Sequence, residues 1–290
     1  MKGIREIRNR IKSVRSTAQI TKAMQLVASS KMKRAQQAAI NGQPYAQLLA
    51  QLLESLVEKI GAIKHPFFES RPVKKRGILV LSSDKGLSGA LNSNLFRMAQ
   101  DIKPGQAAFV CVGKKASTYF SRLRHEVIAE FPLSDRVHFS EVRSFVEFME
   151  KEFCEGRIDT IEVIYPVFIN TLRQEPMLAK LVPFEDFKKQ LEKLRMQFEG
   201  MQEPVKDARE MTFEPSAREI LEAFPSLFLK QEIYQMALSA KASEHSARMV
   251  AMKGATDNAE NLIGDLTLEY NKARQAAITN EILEIAQAAN

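Results

Sequence analysis

Tryptophan is absent from these 290 residues, only two are cysteine, and no apolar run approaches the 18 or more residues a membrane span needs. The chain is therefore not expected to cross a bilayer by itself, and no apolar h-region follows its basic start, so no secretory signal is expected either. Cys111 and Cys154 lie 43 positions apart, with no CxxC pair and no neighbouring histidine. They read as reduced, buried or partly buried thiols of an intracellular protein rather than as a disulfide or a metal set. Histidine is scarce too. His65, His125, His138 and His245 show neither HExxH nor paired spacing, and no GxSxG elbow occurs. His245, beside Glu244, reads as an interface or surface residue, and acid pairs such as Glu281 and Glu284 as solvated helix charges. No catalytic set, metal site or cofactor site is expected.

Negative charge is nearly missing from one end. Through Arg34 there are ten basic residues against the single acid Glu6, whereas the remainder holds two more acids than bases. The pI near 9.3 is thus a property of one segment. Three readings fit it: a nucleic-acid arm, a mitochondrial transit peptide, or a helix entering acidic protein surroundings. Aromatic residues that would stack on single strands do not occur before Tyr45, which weakens the first.

Proline is missing from both ends. Between Met1 and Asn41 there is none, and the only glycine is Gly3; from Ser226 to Asn290 there is none again. Ile4, Ile7, Ile11, Val14, Ala18 and Thr21 alternate spacings of three and four, which makes a seam for a partner helix. After Ile20 the pattern predicts a shift of that seam onto Met24, Ala28, Met32, Ala35 and Ala39, continuing past Gly42 and Pro44. Ala259, Ile263, Leu266, Tyr270, Ala273 and Ala277 repeat the spacing near the other end, with Ile278, Ile282 and Ile285 following one position on. Ser216 to Glu219 matches a capping box, and Pro225 predicts a break followed by a restarted helix. Two long terminal helices with matching seams predict an antiparallel coiled coil.

The middle differs. "GILVLSS", "AAFVCVG", "EVIAEF" and "DTIEVIYPVFIN" are β-rich runs separated by helical stretches over Asn92 to Asp101, Lys114 to Arg124 and Ser140 to Glu155, with a last strand near Met177 to Pro183. Alternation of this kind predicts an α/β domain with a mainly parallel sheet inserted between the helices. "SSDKGLSGALN", Ser82 to Asn92, is a glycine-rich turn that satisfies neither GxxxxGK[ST] nor GxGxxG. It reads as a tight βα turn, with an anion on its backbone amides as the alternative. "SEHSARMVAMKGATDNAENL", Ser243 to Leu262, carries small residues on several faces, more than one coiled-coil seam requires.

"IREIRNRIKSVRSTAQITKAMQLVASSKMKRAQ", "SSDKGLSGALN", "SEHSARMVAMKGATDNAENLI" and "YNKARQAAITNEILEI" closely resemble the signature segments of the gamma-subunit family of F-type ATP synthases, in order and at the family's spacing. Because the resemblance begins almost at Met1, it sets the transit-peptide reading aside. It implies a shaft helix over residues 1–60, an α/β foot over 73–195, a linker and helix start over 196–225, and a second shaft helix over 226–290. The shaft would turn within a ring of alpha and beta subunits, its foot beside an epsilon subunit on the membrane rotor ring, at the cytoplasmic face of a bacterial inner membrane. It would perform no bond chemistry, coupling proton flow to ATP synthesis and hydrolysis and regulating both; no nucleic-acid partner is implied. The family's contacts to catalytic subunits would fall on Lys22, Met24 and Arg248 low on the shaft and on Arg274, Gln275 and Thr279 higher up. Ser88 and Ala90 stand where many members have Cys and Gly, no inserted cysteine pair implies redox control, and residues 196–212 are assigned no role. Two rivals stand beside this reading: a basic helical nucleic-acid-binding protein, and a nucleotide-handling enzyme built on the central domain.

Overall fold

The computed structural model describes residues 2–60, 65–184, 214 and 216–288. The charged stretch 185–209 and residues 196–213 of the linker lie outside the described residues. Helix α1 spans Lys2–Ile60, and the last helix, α5, spans Ala217–Ala288. Between them lie β1 (Arg76–Leu81), α2 (Leu91–Arg97), β2 (Ala107–Val112), α3 (Lys114–Arg122), β3 (Glu126–Phe131), α4 (Phe139–Cys154), β4 (Thr160–Phe168) and β5 (Gln174–Val182).

The two long helices pair antiparallel. Thr21 meets Thr256, and Gly42 lies against Gln235 so closely that an added Cβ would stand 2.5 Å from the amide nitrogen. The interval from Thr21 to Gly42 equals that from Gln235 to Thr256, so a single register holds over this length. Ala18, Thr21, Ala28, Met32 and Ala35 are buried on α1, facing Met252, Thr256, Ala259 and Leu266 among the buried positions of α5. The seam on α1 does not shift after Ile20. It keeps its spacing through Gln25, half-buried, to Ala28, and Met24 sits beside it rather than in it. Nor does the seam on α5 continue to Ile278 and Ile282, which are exposed. Extended to its first described residue, the register ends α1 opposite Gln275, so the last three turns of α5 have no partner helix among the described residues.

Pro225 does not break α5. The helix starts at Ala217, where the Ser216 hydroxyl accepts from the Glu219 amide at 3.2 Å and donates to its carboxylate at 2.9 Å, and it runs through the proline. A proline inside a helix removes one amide donor. Here the turn around it is fixed by burial of Leu221, Phe224, Phe228 and Leu229 against the central domain.

The central sheet has the order β3-β2-β1-β4-β5, parallel except for β5, which returns antiparallel along β4. β2 is buried at every position and β1 at all but its first. Such runs are continuous rather than alternating because helices cover both faces of a parallel sheet. On one face Ile78, Val80, Phe109 and Cys111 pack against Leu95, Phe96, Ala116 and Phe120 of α2 and α3, with the Phe109 and Phe120 rings stacked at 4.2 Å. On the other, Leu79, Leu81, Val110 and Val112 meet Val142, Phe145 and Met149 of α4 together with α5 residues and Leu49 of α1. Each of the valine, leucine, isoleucine, methionine and phenylalanine side chains among these contributes roughly 1.5–3 kcal/mol on burial. The helical pair is thereby one of the layers of the α/β domain at its lower end and free of it at its upper end. Cys111 is buried, and burial pushes its thiol up to about 12. Cys154, in contrast to the expected burial, is exposed, because it ends α4 on the side turned away from the sheet.

Candidate functional site

With α2 and α3 on one face and α4 on the other, the sheet changes winding between β1 and β4, and in such folds ligands bind in the crevice beyond the strand ends at that point. In this chain the crevice is filled by α5. Leu81, Ser82 and Ser83 at the end of β1 and Pro166 near the end of β4 enclose Ala240, Lys241 and Glu244, leaving a gap of about 10 Å³. Serines at helical spacing seat the helix. Phe168 N donates to Ser239 Oγ at 3.0 Å, Ser243 Oγ donates to the Pro166 carbonyl at 3.1 Å, and Ser246 Oγ donates to the Thr171 carbonyl at 2.7 Å. One face of the small-residue segment thus serves the α1 seam and a second serves β4. The nucleotide-handling rival loses its crevice.

The glycine-rich turn after β1 works in two directions. Toward α3 it caps the helix: Asp84 Oδ1 accepts from Lys114 N at 3.1 Å, the Ser83 carbonyl from Lys115 N at 3.1 Å and Ser82 Oγ from Ala116 N at 3.0 Å. The amides at that helix start, which would attract an anion, are engaged. Gly113 just before them has φ +96°, and a Cβ there would stand 2.5 Å from the Ser82 carbonyl, so this approach requires glycine. Toward α5 the turn offers carbonyls. Arg248 Nε donates to Gly86 O at 3.3 Å and Nη2 to Lys85 O at 3.3 Å, immediately before Leu87, which is held at φ +64°.

Arg248 belongs to a buried set. Glu244 accepts from Arg248 Nη2 at 2.9 Å and from Lys241 Nζ at 3.1 Å, and the Lys241 and Glu244 side chains are only 5% and 8% exposed. Beside them Asp135 is presented by a loop that Glu141 pins through both the amide and hydroxyl of Ser134. Asp135 pairs with Lys31 of α1 at 2.5 Å. His245 Nε2 stands 3.3 Å from Asp135 Oδ1 but out of line for a hydrogen bond, so the contact is electrostatic and Nε2 has no hydrogen-bond partner. Burial holds the His245 pKa below its ordinary value, outweighing Glu244 and Asp135. Burial raises the Asp135 carboxyl, but the Lys31 hydrogen bond, His245 and Lys241 together bring it below the usual range. A half-open cavity of about 550 Å³ lies among these groups, with Met24, Val27, Ala28, Leu87 and Leu133 as its apolar wall.

Of the residues expected at the site, Met24 and Arg248 line this cavity together, whereas Lys22 is exposed on α1 outside it. Arg274, Gln275 and Thr279 are exposed where α1 runs out beside α5, with Thr279 Oγ1 donating to the Gln275 carbonyl at 3.0 Å. The two groups lie at opposite ends of the free coiled coil. Lys31, Asp135, Lys241 and Glu244 were not singled out from the sequence. The signal for the last two was present: Lys241, Glu244 and Arg248 recur at helical spacing within an otherwise small-residue helix. Nothing local marks Asp135, whose partners are distant in sequence. Around the seam, Ile20, Leu26 and Val27 are exposed together with Arg5, Arg8, Arg15 and Lys22. No helix among the described residues is long and apolar enough to cross a membrane.

A family model described as ATP synthase matches residues 3–290. The ATP synthase gamma chain of Opitutus terrae is 52% identical over 290 residues, covering 99% of this chain and 98% of that one. The gamma chain of Methylacidiphilum infernorum is 43% identical over 98% of this chain and 97% of its own. Among solved structures, a chain of the Euglena gracilis mitochondrial ATP synthase rotor shares the fold at TM-score 0.67 and 18% identity, over 96% of this chain and 99% of that one. A chain of the Tetrahymena thermophila mitochondrial ATP synthase central stalk and c-ring matches at TM-score 0.57 and 25% identity, over 81% and 99%. Nothing in these likenesses supports the nucleic-acid reading of the basic segment.

Proposed function

The chain belongs to the ATP synthase gamma-chain family, and from that premise we propose how its surfaces divide the work of a rotor. It is the central-shaft subunit of the complex and carries no catalysis of its own. The free upper coiled coil turns inside a ring of alpha and beta subunits, and the α/β domain forms the foot, beside an epsilon subunit and on the membrane rotor ring. The assembly sits peripherally, on the cytoplasmic face of a bacterial inner membrane.

One observation carries this division. The seam is closed by the partner helix, yet the remaining circumference mixes exposed Ile20, Leu26 and Val27 with exposed cations. An isolated soluble helix pair gains nothing from apolar residues on its outside, whereas a surface touched in turn by several neighbours needs both kinds of contact. The cations favour acidic residues on those neighbours. Low on the shaft, Lys22 and Met24 face the catalytic subunits while Arg248 supports them by holding the turn at Lys85 and Gly86. High on the shaft, Arg274, Gln275 and Thr279 make the corresponding contacts, the Arg274 fork being suited to a carboxylate.

Reconstitution tests the reading. The purified chain alone should hydrolyse no ATP, and adding alpha and beta subunits should give an ATPase whose single molecules rotate this chain. Hydrolysis by the isolated chain, or salt-sensitive binding to DNA in place of assembly, would overturn it.

A further inference from the structure

The crevice that an α/β domain of this winding keeps for a ligand is occupied here by charged groups of the long helix, and the helical pair is tied to the domain at three of its strand ends. Glu244, buried, bridges Lys241 and Arg248. Arg248 reaches the carbonyls of Lys85 and Gly86 after β1. Lys31 of the other shaft helix reaches Asp135 after β3. Ser243 and Ser246 hold the end of β4 and the turn beyond it. A buried carboxylate whose ion pairs among the described residues are with two cations of its own helix adds little to folding, since desolvating such a set commonly offsets its attraction. A set of this kind does fix geometry, because the Arg248 fork holds Gly86 O through both Nε and Nη2 and holds Lys85 O and Glu244 through Nη2.

We propose that Glu244 is a positioning residue for torque transfer. It aims Arg248 at the turn after β1, so that the segment Lys241–Arg248 is keyed into the foot and foot and shaft rotate together. Lys31 with Asp135 forms a second tie on the other shaft helix. His245 stands between the two ties, 3.3 Å from Asp135 and 3.4 Å from Arg248. The proposal rests on the rotor reading.

The experiment uses the assembled alpha, beta and gamma sector fixed through its ring, with a bead on the exposed Cys154 of the foot. The variance of the bead's angle during catalytic pauses measures torsional stiffness, which a residue needed only for folding would leave unaltered in complexes that assemble and turn. Glu244→Gln and Arg248→Met should each raise the variance by about twofold, and the double variant should do no more than either alone, because both cut one tie. Asp135→Asn, on a half-exposed loop, should raise it by cutting the second tie; it carries the test if Glu244→Gln does not assemble. Unchanged variance in Arg248→Met and Asp135→Asn would overturn the proposal, as would additive effects of Glu244→Gln and Arg248→Met. Absence of rotation in the unaltered sector would overturn the rotor reading instead.

Discussion

The hydroxyls of Thr21 and Thr256 meet at 2.7 Å inside the coiled coil, both side chains buried, and Thr256 Oγ1 also reaches the Met252 carbonyl at 2.9 Å. A polar pair in an apolar seam sets register at some expense of stability, as a buried asparagine does in a two-stranded coil. Replacing either threonine by valine should lower the stability of the purified chain by about 1 kcal/mol. The double variant should lose less than the sum, with a coupling of roughly 0.5–1 kcal/mol in urea unfolding. Strict additivity would show that the two hydroxyls act separately and that register comes from the apolar seam alone.

Gly254 and Gly264 lie on exposed turns of α5, and a Cβ at either would meet no heavy atom within 4 Å. Neither glycine is needed for a close approach, in contrast to Gly42 against Gln235. Gly254→Ala and Gly264→Ala should therefore each stabilise the helix by about 1 kcal/mol, seen as a higher urea midpoint at unchanged slope. A lower midpoint would show that an added Cβ at these positions is not free of contacts in the folded chain. If these glycines soften the shaft, the double variant should also narrow the angular variance of a rotating complex.

The contrast between those glycines shows which features were legible in the sequence. The seam positions of α1 and α5, the parallel sheet and the capping box at Ser216 follow from local spacing, and local spacing is what a sequence displays. Pro225 misled because the burial that carries the helix through it, Leu221 and Phe224 against the central domain, is tertiary. Ile278 and Ile282 misled because their missing partner depends on where α1 runs out, a matter of register between residues far apart in sequence. The junction was legible only in part. Met24 and Arg248 came from family resemblance, whereas Asp135, Lys31 and the filled crevice arise from contacts more than 70 positions apart, for which one sequence holds no local sign.

His245 gives the junction a pH dependence with a definite sign. Its folded pKa lies below 6.5 through burial, so between that value and 6.5 the unfolded chain binds more protons than the folded one. Stability is then lost as pH falls below about 6.5 and levels off beneath the folded pKa. His65 and His125, also lowered by burial, act in the same direction. Glu150, raised by burial, acts oppositely, losing stability as pH rises from the ordinary glutamate value. Urea midpoints should therefore fall between pH 7.5 and 5.5. His245→Gln should make that fall shallower, and an unchanged slope would show that the imidazole gains its proton without disturbing Asp135, Lys31, Lys241, Glu244 or Arg248.

Met24 lines the cavity together with Val27 and Ala28, in a lining that also contains Lys31, Asp135 and Arg248. Its thioether adapts to changing neighbours and carries no charge, which suits a surface that different subunits press upon in turn. A lysine there would be half-buried among cations and would compete with Lys31 for Asp135, or reach outward to an acid on a catalytic subunit. The outward pair would hold the rotor at one angle, and a surface ion pair worth up to about 1 kcal/mol corresponds to on the order of fivefold in a rate. Met24→Lys should leave the amount of assembled complex nearly unchanged, because the cavity is open enough for the longer side chain. ATP-driven proton pumping in inverted vesicles, divided by ATP hydrolysis in the same vesicles, should fall by that factor. Higher salt should restore part of the ratio, since screening weakens an exposed pair. A normal ratio at low salt would place Met24 away from the catalytic subunits, and a loss that salt does not relieve would assign the defect to packing at the junction.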